Sequence, residues 1–114
     1  MSSSSGGCTD VPLGINNGVA SSLGTGFSVD QFQAVRSHKG KKVWFVSAHG
    51  TDPSGNTVYP TWATTDLSNS GGLRTVDLTS RNVTPALREM PGVSEDDPAA
   101  AKARDCARKV AASS

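Results

Sequence analysis

The stretch VWFVSAHGTDPSGNTVYPTWATTDL, residues 43–67, decides the fold, because it reads as two β-strands joined by a tight turn. Its central residues 52–55 match a type I turn, which favours Asp first, Pro second and Gly fourth. With Gly55 as a bulge residue, Asp52 lies opposite Asn56. The same register pairs further residues across the hairpin: His49 with Tyr59, Ser47 with Thr61 and Val46 with Trp62.

The two faces of this hairpin differ in character, since successive side chains of a strand point to opposite sides. One face is apolar and is expected to form the core under the helices; it carries Trp44, Val46, Ala48, Pro60 and Trp62. The other face becomes polar towards the turn. There His49, Tyr59 and Thr61 are expected to face outward as ligand-contacting residues. The alternative is a solvated cross-strand pair between His49 and Tyr59.

Ser47, His49 and Asp52 are the three residue types of a hydrolase triad. Ser47 and His49 share a face but lie about 7 Å apart along the strand, whereas a nucleophile and its base need hydrogen-bond reach. Asp52 is already explained by the turn, and no G-x-S-x-G motif is present. A small Ser/His hydrolase is therefore the alternative function rather than the preferred one.

Outside the hairpin, β-branched and aromatic residues predict strands over 32–37, 42–48, 57–65 and 73–78. The gaps between them are too short for a parallel crossover, so each pair is predicted to be antiparallel.

Helices are predicted at both ends of the chain. The first spans 10–24, with Asp10 as its cap and one apolar residue every four positions. The last begins with Asp97 as cap and Pro98 in the first turn, and its inward stripe is Ala99, Ala103, Cys106 and Val110. The predicted fold is α+β, a four-stranded antiparallel β-meander packed by N- and C-terminal helices.

Length and composition indicate one domain, residues 10–112, after a Ser/Gly-rich leader or tether over 1–9. Hydrophobic residues make up 35% of the 114, so the core is small. The net charge of +1 gives no reason to expect nucleic-acid binding. The longest apolar run, VWFV, is too short to span a membrane; any export signal or anchor is expected upstream.

Cys8 and Cys106 lie near the two ends of the predicted domain. A disulfide between them would close a loop of nearly the whole domain and would place it outside the cytoplasm. The alternative is two unrelated thiols. No metal site is predicted, since no paired cysteines of the zinc-binding type occur, and no cofactor motif is present.

The one dense basic cluster contains Arg36, Lys39, Lys41 and Lys42. It predicts either a surface that binds anionic lipid headgroups or cell-wall polymers, or a charged hairpin tip that keeps a sheet edge soluble.

WFVSA in one strand, TWATTDL in the next and a late RDCARK helix resemble small, uncharacterised extracytoplasmic domains of actinobacterial proteins. The resemblance covers Cys8 to Val110. It implies a domain that follows a single membrane anchor, with one cysteine near each end, and it supplies no catalytic residues. The expected function is a non-enzymatic extracytoplasmic binding or interaction module, secreted or membrane-anchored, whose partner is another extracytoplasmic protein or a cell-envelope component.

Overall fold

The computed structural model describes residues 8–37, 43–67, 72–90, 92–93 and 96–113, and it places an antiparallel sheet between two layers of helices. Its elements in chain order are β1 (Thr9–Asp10), α1 (Leu13–Ser22), β2 (Ser28–Arg36), β3 (Trp44–Thr51), β4 (Thr57–Val58), β5 (Thr61–Thr64), β6 (Arg74–Thr75), α2 (Leu78–Val83) and α3 (Pro98–Ser113). The predicted α+β class, with helices at both ends, is confirmed.

The sheet contains the predicted meander and extends it. The strand order is β1-β2-β3-β5-β6, with β4 paired to the end of β3, and every neighbouring pair is antiparallel. The predicted four strands correspond to β2, β3, β4 with β5, and β6. On its outer side, β6 is covered by a parallel bridge from Thr75 to Glu89.

One face of the sheet packs against α1 and α2. Ile15 and Val19 of α1 and Val83 of α2 are fully buried there against Val46 and Trp62. The ring of Trp62 stacks on that of Phe32 at 6.1 Å. Its indole Nε1–H donates to Thr84 Oγ1 at 2.9 Å, which satisfies a donor that burial would otherwise make costly. Trp44, predicted for the same core, is only half-buried.

The opposite face of the sheet is covered by α3. Four alanines of the helix are buried against it: Ala99, Ala100, Ala103 and Ala107. Phe45 and Ala63 provide the apolar surface beneath them. Because alanine side chains are small, the helix backbone can lie close to the strands. The sheet therefore has a core on each face, whereas the sequence suggested a single core.

The start of the first helix differs from the prediction. Asp10 does not cap it; Asp10 belongs to β1, and its Oδ1 accepts a hydrogen bond of 2.7 Å from Gln33 Nε2. The helix begins after Pro12, which lies at the N-cap without a side-chain hydrogen bond. The sheet thus includes Thr9, a residue of the predicted leader, because pairing with β2 offers this segment backbone partners.

A second departure is α2, a short helix that replaces the end of the fourth predicted strand. Asp77 caps it, accepting from the backbone N of Ser80 at 2.8 Å, while Ser80 Oγ accepts from Asp77 N at 3.2 Å. Asp77 Oδ1 also accepts from Thr61 N at 3.3 Å. One carboxylate therefore joins the start of α2 to β5.

The predicted disulfide between Cys8 and Cys106 is present. It joins the residue before β1 to the middle of α3, with 6.3 Å between the two Cα atoms and a sequence separation of 98. Both cysteines belong to the core under α3.

Candidate functional site

The central hairpin has the predicted turn and register. Gly55 N donates to Asp52 O at 2.9 Å, and Gly55 has a φ of +87°. Asp52 Oδ1 accepts from the backbone N of Ser54 and of Asn56 at 3.0 and 2.8 Å. This confirms that Asp52 belongs to the turn. Ser47 lies opposite Thr61 in the sheet, again as predicted.

Ser47 is not placed for catalysis. Its side chain is fully buried, and Ser47 Oγ donates to the carbonyl oxygen of Pro60 at 2.8 Å. A serine nucleophile needs exposure to substrate and a base that takes its proton. The nearby His49 has a carboxylate partner, Asp30, as a catalytic histidine would, but the Ser47 hydroxyl donates to the Pro60 carbonyl rather than to the imidazole. The hydrolase alternative thus lacks the serine–histidine contact on which it depends.

Asp30 reaches His49 because β2 carries a bulge. Asp30 pairs with His49 and Gln33 with Ser47, so two residues of β2 oppose the single residue Ala48 of β3. Without the extra residue, Gln31 would lie opposite His49. Gln31 has a φ of +56°, in the left-handed region that residues with a side chain rarely adopt. Bulges and such strained residues occur often beside functional sites, where they redirect a side chain.

His49 makes two side-chain contacts. Its Nδ1 lies 2.9 Å from Asp30 Oδ1, and since an ionised carboxylate can only accept, Nδ1–H is the donor. Its ring meets the Tyr59 ring edge-on, with 5.9 Å between centroids. The His49 side chain is 30% exposed and that of Asp30 66%. The imidazole is therefore held in a fixed orientation while still open to solvent.

The end of α3 adds a cation to this group. The guanidinium carbon of Arg108 lies 5.0 Å from the centre of the Tyr59 ring, a cation–π contact. Asp105 is within 3.7 Å of Arg108 and 3.2 Å of Lys109. We call Asp30, His49, Tyr59 and Arg108 the His49 cluster. It combines side chains of β2, β3, the segment between β4 and β5, and α3.

Thr61 does not belong to this exposed surface, and the prediction that it faces outward is wrong. Its side chain is fully buried under α3, and Thr61 Oγ1 accepts from Arg104 NH1 at 3.1 Å. The error follows from treating one sheet face as open when α3 covers it. Arg104 and Arg108 are one helical turn apart, so the helix presents one arginine to Thr61 and the next to Tyr59.

Of the predicted basic cluster, the structure describes Arg36, which is exposed at the last position of β2. Lys39, Lys41 and Lys42 lie outside the described residues. Arg36 pairs with Trp44 and is thus five positions of β3 away from His49, on a different part of the surface. Arg36 therefore does not belong to the His49 cluster.

Sequence reasoning identified His49 and Tyr59 as a pair but missed Asp30 and Arg108. Asp30 carries no sequence signal, since its position opposite His49 depends on the bulge. Arg108 had a partial signal, because it follows the buried Ala107 and lies one helical turn after Arg104, at the flank of the side of α3 that packs on the sheet.

In the described ranges of the chain, no group of three or more His, Cys, Asp or Glu side chains is arranged to hold a metal ion. Nor does any described helix combine the length and the apolar character needed to cross a bilayer. Comparisons with protein-family models, with curated proteins and with solved structures each found no match. The argument for a function therefore depends on the site itself.

Proposed function

We propose that the protein is a non-enzymatic binding module that works outside the cytoplasm and contacts its ligand through the His49 cluster. The observation that carries this proposal is the Cys8–Cys106 disulfide. Disulfides persist in oxidising compartments and are rare in the cytosol of mesophiles. The resemblance to extracytoplasmic actinobacterial domains, and with it secretion or membrane anchoring, is part of the same proposal.

The disulfide has a structural role that supports this location. Cys8 is 5% exposed and Cys106 7%, so the sulfur atoms are part of the core under α3 rather than reactive surface thiols. That core otherwise contains mainly valine and alanine, with one phenylalanine. A small core gains much from a covalent link. A cytosolic protein would lose this link to cellular reductants.

Binding is preferred to catalysis because of how the polar groups are used. The buried Ser47 hydroxyl is bonded to Pro60 O, whereas the side chains of Asp30, His49 and Arg108 are at least partly exposed. An exposed group of one aromatic, one arginine, one histidine and one carboxylate is typical of a contact surface. The partner is another extracytoplasmic protein or a cell-envelope component.

The location is tested by thiol labelling. Protein exported to a bacterial periplasm is denatured and treated with an alkylating reagent, with and without prior reduction, and its intact mass is measured. We expect two alkyl groups only after reduction. Two labelled thiols in the unreduced, exported protein would contradict the proposed compartment. A Cys8→Ala variant, which has one thiol, is the control for labelling efficiency.

The absence of catalysis is tested by a broad ester and amide hydrolysis screen. We expect no turnover that depends on Ser47 or His49. Hydrolysis that disappears in both Ser47→Ala and His49→Ala, with the variants still folded, would replace the binding proposal by the hydrolase. Salt-sensitive binding to anionic vesicles that is lost when Lys39, Lys41 and Lys42 are neutralised would instead favour the anionic-surface alternative.

A further inference from the structure

The His49 cluster has its hydrogen-bond donors grouped around one aromatic ring. Arg108 lies over the face of Tyr59 and His49 lies at its edge, at 5.0 and 5.9 Å from the ring centre. A guanidinium carries five N–H groups in one plane and forms forked pairs with planar anions. The contacts with Tyr59 and Asp105 hold Arg108 beside the ring, where its N–H groups can meet such an anion.

His49 can supply a second donor on the same side. Because Nδ1–H is bonded to Asp30, the other ring nitrogen, Nε2, carries no bond to that carboxylate. Nε2 accepts in the neutral ring and donates in the protonated ring. The Tyr59 hydroxyl is a third potential donor on this ring.

The carboxylates near the His49 cluster are already paired with basic side chains. Asp30 lies against His49, and Asp105 lies between Arg108 and Lys109. The two cations of α3 therefore share one carboxylate, which leaves a surplus positive charge on this part of the helix, beside the Tyr59 ring.

From these contacts we propose that the His49 cluster binds a carboxylate group of its ligand, held by Arg108, Tyr59 and His49. This rests on the proposed binding function and specifies the ligand chemistry. A planar carboxylate fits the forked geometry of arginine. Two sources share this chemistry: the free C-terminus of a peptide and a uronic acid of a cell-envelope polymer. Asp30 then acts as a positioning residue that fixes the imidazole.

The experiment is an NMR titration of the folded, oxidised protein at low salt. The probes are an acetylated dialanine with a free C-terminal carboxylate and methyl glucuronide, each beside its neutral counterpart, the dialanine amide and methyl glucoside. We expect millimolar binding of one or both carboxylates, as suits a single charged group of a small ligand. The Arg108 Nε–H and the His49 ring signals should shift, and the neutral counterparts should leave them unchanged.

Variants locate the binding. Arg108→Ala should weaken binding at least about tenfold, as expected for loss of a charge-assisted pair. The matched control is Arg81→Ala, which removes the same charge and also breaks an ion pair, with Glu89, but lies on α2 at the opposite face of the sheet. It should change affinity by less than about twofold. Equal losses in both variants would overturn the assignment, since net charge alone would then explain binding.

Two substitutions separate a donor role of His49 from mere packing. His49→Gln keeps an N–H donor at this position, whereas His49→Phe keeps a ring against Tyr59 and loses the donors. Carboxylate binding should be weakened more in His49→Phe than in His49→Gln. Equal losses would show that the imidazole only packs against Tyr59.

The possible results distinguish carboxylate recognition from the proposed binding function on which it rests. If the neutral probes shift the His49 and Arg108 signals as much as the carboxylates, carboxylate recognition is wrong while binding at the cluster stands. If no probe shifts them, the carboxylate inference is overturned, and the labelling and hydrolysis tests still decide the proposed function. Hydrolysis that depends on His49 would overturn both.

Discussion

At the scale of single residues, Gln31 is the one described non-glycine residue with a positive φ. Its left-handed backbone is the local cost of the bulge that sets Asp30 opposite His49. A left-handed conformation costs a residue with a side chain roughly 1–2 kcal/mol. The strained backbone of Gln31 therefore lies directly beside Asp30 of the His49 cluster.

Replacing Gln31 tests this strain. Gln31→Gly should raise the free energy of unfolding by up to about 1 kcal/mol, since glycine adopts this φ freely although its unfolded chain is more disordered. Gln31→Val should lower it by about 1–2 kcal/mol, because a β-branched residue tolerates the conformation worst. Urea denaturation measures both. Variants with equal stability would show that Gln31 is not strained.

A buried hydrogen bond gives the second prediction at this scale. Thr84 Oγ1 accepts from Trp62 Nε1 at 2.9 Å and donates to Ser80 O at 2.8 Å. Thr84→Val leaves the indole N–H without its acceptor and should lower the free energy of unfolding by roughly 1–3 kcal/mol.

The control for that change is Thr84→Ser, which keeps the hydroxyl. It should lose about 1 kcal/mol, mainly for the missing methyl group. If the serine and valine variants were equally unstable in chemical denaturation, the hydroxyl would not be the group that matters.

At the scale of elements, the loop between α1 and β2 packs against the hairpin turn. Gly26 has a φ of +87°, and a Cβ added there would lie 2.9 Å from Pro53 Cγ. Gly55 has the same φ, but nothing lies within 4 Å of its added Cβ. The two glycines thus share a backbone conformation and differ in their surroundings.

This pair allows strain and contact to be measured separately. Gly55→Ala should cost about 1 kcal/mol of unfolding free energy, from strain alone. Gly26→Ala should cost roughly 2–4 kcal/mol, because the methyl group also displaces the turn. Thermal and urea unfolding would report both values. If both variants lost the same unfolding free energy, the contact between Gly26 and Pro53 would contribute nothing to the cost.

Elements with a local signal were predictable from the sequence. Residues 52–55 fixed the hairpin register, and the Asp97–Pro98 start of α3 is confirmed, with Asp97 Oδ1 accepting from Ala99 N at 2.9 Å. The short elements β1 and α2 were missed, because two or six residues hold too few side chains to show a period. Their stability comes from tertiary partners such as Gln33 and Thr61.

The candidate site was less predictable, because it forms only where β2, the central hairpin and α3 come together. His49 and Tyr59 follow from the hairpin register, but Asp30 requires the bulge and Arg108 requires the placement of α3. The wrong prediction for Thr61 has the same origin. The inward stripe of α3 was predicted, but the stripe does not show which face of the sheet the helix covers, so the second covered face was not expected.

For the whole molecule, we expect the disulfide to contribute a large part of the stability. It closes a loop with a sequence separation of 98, and the chain-entropy model then assigns it roughly 4–5 kcal/mol. Domains of this size are stable by only about 5–15 kcal/mol in total. The Cys8→Ala, Cys106→Ala double variant should therefore unfold at a much lower urea concentration.

The control is a comparison of that double variant with the reduced wild-type protein, which lacks the link but keeps both sulfur atoms. We expect the two to have similar denaturation midpoints. A double variant as stable as the oxidised protein would show that packing alone holds α3 on the sheet.

The position of this bond also determines how the domain responds to mechanical tension. Its two anchor residues have Cα atoms only 6.3 Å apart, although 98 positions of sequence separate them. A pull applied to the chain before Cys8 and after Cys106 passes from one flank to the other through the sulfur atoms. The strands, α1, α2 and the part of α3 before Cys106 bear none of that force. An oxidised domain would therefore act as a short, inextensible joint, whereas reduction would let the same pull release roughly 340 Å of chain.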